Sequence, residues 1–195
     1  MRKQNKDAKN NIRESARDLF FQMPYSSASM RDVAEKCGMT VGNIYRYYEN
    51  KEVLFDDIVG KCYEKVIRLI KLNEFVQKFL KNKIGLNEKN VYKNTKFKNH
   101  ILEIITKLFS ENSTELYILL NNSAGSKYEQ TRDQLTNLIK ETMLKMVLGL
   151  NEDKTEIYAF MVMSTILFIM ERNKSNPKKM QEEITSFFEK FFSSF

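Results

Sequence analysis

Apolar positions recur along the chain at helical spacing almost from its start. Ile12, Ala16, Leu19 and Phe20 fall at i, i+4, i+7 and i+8, which puts them on one face of a helix. The predicted helix runs from about Asp7 to Gln22 and stops at Pro24, because a proline pushes the residue before it out of helical geometry. After a short loop, Ser29 offers a hydroxyl that can accept from the first free amides of a second helix. Its apolar stripe is Met30, Val33, Ala34 and Cys37, and Gly38 follows where a left-handed residue ends a helix. Thr40 can cap a third helix over about Val41–Tyr48, with Val41, Ile44, Tyr45 and Tyr48 at the same spacing. Asn50 can cap a fourth, beginning near Lys51 and carried for about five turns by Val53, Leu54, Ile58, Cys62, Val66, Leu69 and Ile70.

Residues 73–98, rich in asparagine, are a polar connection or a frayed helix end, in which Phe75, Val76, Phe79 and Leu80 still read as helix; beyond them five more helices are predicted. They cover about Lys96–Ser110, Ser113–Asn121, Lys127–Leu148, Asp153–Arg172 and Pro177–Phe192. The fourth of these is apolar on nearly every side (Ile157, Phe160, Met161, Met163, Leu167, Phe168, Met170), as a helix buried on two faces must be. The last begins with proline, which a first helical turn tolerates, and carries Ile184, Phe187, Phe188, Phe191 and Phe192. The fold class is therefore all-α, and with 6 glycines and 2 prolines in 195 residues there is no turn chemistry for a sandwich or barrel.

Composition removes several functions. Cys37 and Cys62 cannot form a disulfide framework, and no Cys-x-x-Cys is present. A single histidine, His100, leaves no cluster for a metal or a catalytic triad, and no phosphate-cradling Gly-x-x-x-x-Gly-Lys occurs. No enzyme, cofactor or metal site is expected. The charged N-terminus has no apolar stretch behind it, so no signal peptide is expected. The longest uncharged run, Ile157–Met170, falls short of the ~18–20 apolar residues of a membrane span, so the chain is expected to be cytoplasmic. The net charge of +7 invites a nucleic-acid partner, yet its distribution is uneven. Residues 1–60 are nearly neutral, while residues 61–100 carry 11 basic against 3 acidic groups. That segment is either a solvated face or an anion-attracting surface.

The second and third predicted helices, joined by a turn that holds Gly38, form a helix-turn-helix. The third has a composition unsuited to packing alone: Gly42 and Asn43 are weak helix formers, set among tyrosines and Arg46. Small residues on an exposed first turn allow close approach to another surface, and Tyr and Arg offer donors to phosphates and base edges.

The run Ser29-Met30-Arg31-Asp32-Val33-Ala34-Glu35-Lys36-Cys37-Gly38-Met39-Thr40-Val41-Gly42-Asn43-Ile44-Tyr45-Arg46-Tyr47-Tyr48-Glu49-Asn50-Lys51-Glu52-Val53-Leu54 resembles the DNA-binding region of TetR-type (TetR/AcrR) transcriptional regulators. The turn glycine, the small hydroxyl residue ahead of Ile44-Tyr45, and Tyr48-x-x-Lys51-x-x-Leu54 carry the resemblance, which covers about residues 8–60. Two positions depart from the family pattern. Met23-Pro24 stands where a glycine is usual, and Tyr48 stands where phenylalanine is usual, so its hydroxyl needs a partner.

The resemblance implies a helix-turn-helix DNA-binding domain over residues 1–50 and a helical ligand-sensing and dimerisation domain over 51–195. It further implies a homodimer that binds a palindromic double-stranded DNA operator; the aromatic, Met-rich helices suit an apolar small-molecule effector, since Met repacks around varied ligands. Ser29, Thr40, Tyr45, Tyr47 and Lys51 match positions that contact phosphate; Arg31, Val41, Gly42 and Asn43 match positions that face base edges, with Arg46 a further candidate. Structural roles stand beside these: Ser29 and Thr40 cap helices in any fold, Arg31 can pair with Glu35, and Tyr48 shares the apolar stripe of Ile44. The dimer interface is assigned to Phe160, Leu167, Phe168, Ile184, Phe187, Phe188 and Phe191 on the last two helices. Polarity inside apolar stretches nominates Tyr117, Asn121, Tyr158, Met161 and Thr165 as pocket lining. An alternative is a closed C-terminal core without ligand, in a regulator that is constitutive or controlled by a protein partner.

Overall fold

The computed structural model describes residues 2–82, 103, 107–108, 111–146 and 152–193. Among these the order is α1 (Arg2–Gln22), α2 (Met30–Lys36), α3 (Val41–Tyr45), α4 (Lys51–Asn82), α5 (Ser113–Asn121), α6 (Thr131–Met146), α7 (Glu152–Arg172) and α8 (Pro177–Ser193), with no strand. The all-α expectation is met. Most of the helix expected over 96–110, together with His100 and the basic residues between 83 and 100, lies outside the described residues.

Three boundaries differ from expectation for local reasons. α1 begins at Arg2 rather than Asp7, since no glycine or proline interrupts its first turn. α3 stops at Tyr45 rather than Tyr48; the amides of Arg46 and Tyr47 bond back three residues, to Asn43 and Ile44, and tighten the chain out of the α-helix. α6 begins at Thr131 rather than Lys127, because four-residue turns closed by the amides of Ser126, Glu129 and Thr131 take up the intervening chain. α4 runs 32 residues, past the five turns of its main stripe and through the positions of Phe75, Val76, Phe79 and Leu80, whose spacing also reads as helix.

The contacts divide the chain into two compact units. The first gathers residues 1–64 with 114–131. Its core takes Ile12, Ala16, Leu19 and Phe20 from α1, Val33 and Ala34 from α2, Ile44 from α3 and Leu54, Phe55, Ile58 and Val59 from α4. Phe20 meets Phe55 edge-on at 4.8 Å between centroids, and Tyr25 lies against both rings. Tyr48 is buried, as its shared stripe with Ile44 predicts, and its hydroxyl donates to Asp57 Oδ2 at 2.6 Å. Burial first, and then this carboxylate, raise the phenol's pKa. The hydroxyl that departs from the family pattern thus has its partner.

The segment after α5 closes this unit. Asn122 Nδ2 donates to the carbonyls of Phe20 at 2.8 Å and Phe21 at 3.2 Å, the orphan acceptors at the end of α1. The Asn122 carbonyl in turn accepts from the Tyr25 amide at 2.7 Å. Gly125 holds φ +81, a conformation costly for other residues, and a Cβ there would press on Ser26 at 3.3 Å. Asp56 on α4 accepts from Tyr128 Oη and from Lys127 Nζ, the latter at 2.7 Å. These bonds lower the Asp56 pKa, while burial pushes the Tyr128 phenol up to about 12.

The second unit gathers residues 65–113 with 132–195. α7 packs on α8, burying Ala159, Val162, Met163, Ile166, Ile169 and Met170 with Met180, Ile184 and Phe188. Glu183 accepts from Arg172 at 2.5 Å and from Asn173 at 2.7 Å, which ties the turn between the two helices. The other side of α7 is bare: Ile157, Phe160, Met161 and Phe168 are each more than half exposed in the single chain. Their spacing of i, i+3, i+4 and i+11 lines them along one stripe.

Candidate nucleic-acid interface

Capping fixes the start of both short helices. The Asp32 amide donates to Ser29 Oγ at 3.2 Å, while the Ser29 amide donates to Asp32 Oδ2 at 2.8 Å. This reciprocal capping box also uses the Ser29 hydroxyl as a donor to Asp32 Oδ2, at 2.7 Å. Hydrogen bonds from Ser29, side chain first, hold the Asp32 carboxyl below its ordinary value of 3.8. A carboxylate lowered by folding contributes stability above its unfolded pKa and loses it as pH falls through the folded one. The amide resonances of Ser29 and Asp32 should therefore titrate together with a midpoint below 3.8, and exchange of the α2 amides should quicken over the same range. A midpoint at or above 3.8 would contradict the box.

Gly38 takes φ +68 and turns the chain from α2 into α3. Thr40 Oγ1 then accepts from the Asn43 amide at 3.3 Å. A Cβ added at Gly42 would meet nothing within 4 Å, so packing inside the chain does not demand glycine there. An exposed glycine at the start of α3 instead keeps the helix surface low where another molecule would approach.

Ser29, Arg31, Thr40, Gly42, Asn43, Tyr45 and Arg46 are exposed; Val41, Tyr47 and Lys51 are half-buried. Tyr45 stands 51% exposed, in contrast to buried Ile44 beside it, so its ring is not spent on the core. Ser29, Arg31, Val41, Tyr45 and Lys51 come together around one concavity of about 480 Å³, which Ala28, Met30 and Asn50 complete. Thr40, Gly42, Asn43, Arg46 and Tyr47 are not part of its lining.

Lys51 does more than the sequence indicates. Its ammonium donates to the carbonyls of Tyr25 at 2.6 Å and Ala28 at 2.8 Å, and lies 4.1 Å from the centre of the Tyr25 ring. Desolvation lowers its pKa. Two of its three N–H donors thereby anchor the loop that leads into Ser29, leaving one for an incoming anion. Asn50, which sequence reasoning placed only as a cap, both caps α4, accepting from the Val53 amide at 2.9 Å, and lines the concavity.

The family model described as "Bacterial regulatory proteins, tetR family" matches residues 12–58, the region that contains this concavity. Those residues are a tetR-family segment. The fold of the chain resembles a TetR-like transcriptional regulator from Rhodococcus sp. RHA1, at 13% identity and TM-score 0.54, over 96% of this chain and 97% of that one. A transcriptional regulator described as of the TerR/AcrR family, from Aquifex aeolicus VF5, aligns at 17% identity and TM-score 0.48 over 94% and 99% of the two chains. A search among curated proteins gives no match.

The remaining nominated residues fall in different places in the chain. Tyr117 and Asn121 belong to the first unit, Tyr117 buried and Asn121 half-buried. Tyr158, Met161 and Thr165 belong to the second; Tyr158 and Thr165 are half-buried, and Met161 is 54% exposed. Thr165 Oγ1 donates to the Met161 carbonyl one turn back, at 2.8 Å. Of the nominated interface residues, Phe160 and Phe168 are exposed, Leu167, Phe187 and Phe191 half-buried, and Ile184 and Phe188 buried within the chain itself. Among the described residues no group of three or more His, Cys, Asp or Glu is placed to hold a metal ion, and no helix is long and apolar enough to cross a membrane.

Proposed function

We propose that the chain is a cytoplasmic, ligand-responsive repressor that binds a palindromic operator as a homodimer, with residues 1–50 reading DNA and residues 51–195 sensing and dimerising. One observation carries the DNA-reading part: Ser29, Arg31, Val41, Tyr45 and Lys51, nominated separately for phosphate and base contact, line a single concavity. In this scheme the Ser29 hydroxyl, Thr40, Tyr47 and the remaining Lys51 donor set α3 against the backbone. Arg31 reaches a guanine with its two-pronged guanidinium, Val41, Gly42 and Asn43 meet neighbouring base edges, and Tyr45 and Arg46 serve either purpose.

The exposed stripe of α7 supports dimerisation. Phe160 and Phe168, with Ile157 and Met161 between and beside them, leave several large apolar side chains in water on an isolated chain, at about 1.5–3 kcal/mol per side chain relative to burial. A second copy laid along the same stripe removes that cost, and half-buried Leu167, Phe187 and Phe191 retain apolar surface for it to cover. Met161 then belongs to the subunit interface and not to a pocket. For ligand sensing the supporting observation is Asn121, whose Nδ2 is buried without a hydrogen-bond partner. A polar group on an otherwise apolar effector would satisfy it. Effector binding would shift α4, change the spacing of the two recognition helices, and remove the fit to the operator half-sites.

Selection of duplexes from a random-sequence pool tests the operator reading. The wild-type chain should enrich a two-fold symmetric site, and Arg31→Ala should lose discrimination at one base pair per half-site by about 5- to 150-fold, the equivalent of about 1–3 kcal/mol. Unchanged affinity in the double variant Arg31→Ala, Tyr45→Ala would overturn the assigned surface.

A further inference from the structure

α1 begins ten residues ahead of the segment that matches the family model, and those added turns are strongly basic. Arg2, Lys3, Lys6 and Lys9 stand against one acid, Asp7. No acidic residue occupies the first turn, where the helix dipole favours one. Helix stability therefore does not account for this charge placement.

The basic residues share a register. Arg2, Lys6, Lys9 and Arg13 lie at i, i+4, i+7 and i+11, one line along the helix. The inner half of that line is seated against α4 and the chain that leads into it from α3. Arg13 Nε donates to the Asp57 carbonyl on α4 at 3.3 Å, and Lys9 Nζ lies 5.1 Å from the centre of the Tyr48 ring, just past α3. Asn11, between them, donates to the Cys37 carbonyl in the turn of the helix-turn-helix at 3.5 Å. Lys6, one turn further out on the same line, is exposed, and Arg2 follows at the next turn. At 1.5 Å per residue the line extends about 10 Å beyond Lys9.

We infer that this basic line on α1 is an accessory contact for the phosphate backbone of DNA flanking each half-site. The inference rests on the operator-binding reading and extends it. The concavity around Arg31 reads sequence, and the α1 line adds affinity without sequence preference, because phosphates repeat identically along any duplex. Its signature is ionic-strength dependence: each phosphate neutralised contributes about 0.9 to the slope of log affinity against log salt.

The experiment uses the full chain and a duplex that it enriches from a random pool, prepared with about ten flanking base pairs on each side and again without them. On the long duplex, Arg2→Gln with Lys6→Gln should make the salt slope shallower by about two per bound protomer, while Arg2→Lys with Lys6→Arg should keep it. On the trimmed duplex, wild type and the glutamine variant should coincide. The same helical circular dichroism in all three chains establishes that charge, and not folding, is being compared. An unchanged slope on the long duplex overturns the inference. A reduced slope that persists on the trimmed duplex also overturns it, by placing the contact inside the half-site. Enrichment is measured first, so a wild-type chain that selects no sequence identifies the operator reading as the failed premise and removes the accessory contact with it.

Discussion

Replacing Phe20 by alanine should cost about 3–5 kcal/mol of stability, the largest loss expected from a single side chain in the DNA-binding unit. Phe20 is fully buried. Its ring is braced edge-on by Phe55 at 4.8 Å and flanked by Tyr25 at 6.0 Å, so truncation removes contacts on more than one side. Phe55 and Tyr25 also hold other parts of the unit. Phe55 sits on α4, and the Tyr25 carbonyl anchors Lys51. Collapse into the cavity would therefore disturb the loop that presents Ser29. With total stabilities of about 5–15 kcal/mol for ordinary domains, the variant should show both a lowered thermal midpoint and weakened DNA binding. Chemical denaturation compared with wild type checks this, and a loss under about 1 kcal/mol would mean the ring is not the keystone described.

The second large effect should follow from Phe160→Asp combined with Phe168→Asp. Both side chains are exposed in the single chain, at 65% and 61%, so the substitutions break no internal packing of comparable size. Across a two-fold axis, in contrast, each would meet its own interface and bring like charges together in an apolar setting. Sedimentation should report monomers at concentrations where the wild type is dimeric. Operator affinity should fall by about 10²- to 10⁴-fold, since two linked half-site contacts become two independent ones. A variant that remains dimeric would place the subunit interface elsewhere.

Much of the DNA-reading half was legible in the sequence, because its signals are local. A cap such as Ser29 acts on amides within three residues, a turn glycine such as Gly38 is dictated by its own φ, and the core stripe of α1 follows from helix geometry alone. The double role of Lys51 was not legible. Its carbonyl partners lie 26 and 23 residues away and belong to a loop whose path no periodicity encodes. The α7 stripe was half legible. Apolar residues on nearly all sides signal burial on two faces, yet the pattern does not separate the face that meets α8 (Ala159, Val162, Met163, Ile166) from the bare one (Ile157, Phe160, Met161, Phe168). Ile184 and Phe188 were assigned to the subunit interface for the same reason, since a phenylalanine-rich stripe does not name its partner, and the structure buries both within the chain.

The bond from Asn122 to the end of α1 spans 102 positions of sequence. During synthesis, the first three helices are made long before the asparagine that closes the carbonyls of α1 exists. Residues 1–64 must wait for residues 114–131 to complete their unit. A chain interrupted between those segments would carry the helix-turn-helix without its closing bracket, with the acceptors of Phe20 and Phe21 left to water and Asp56 deprived of Tyr128 and Lys127. The first unit is thereby complete only in chains elongated past residue 131.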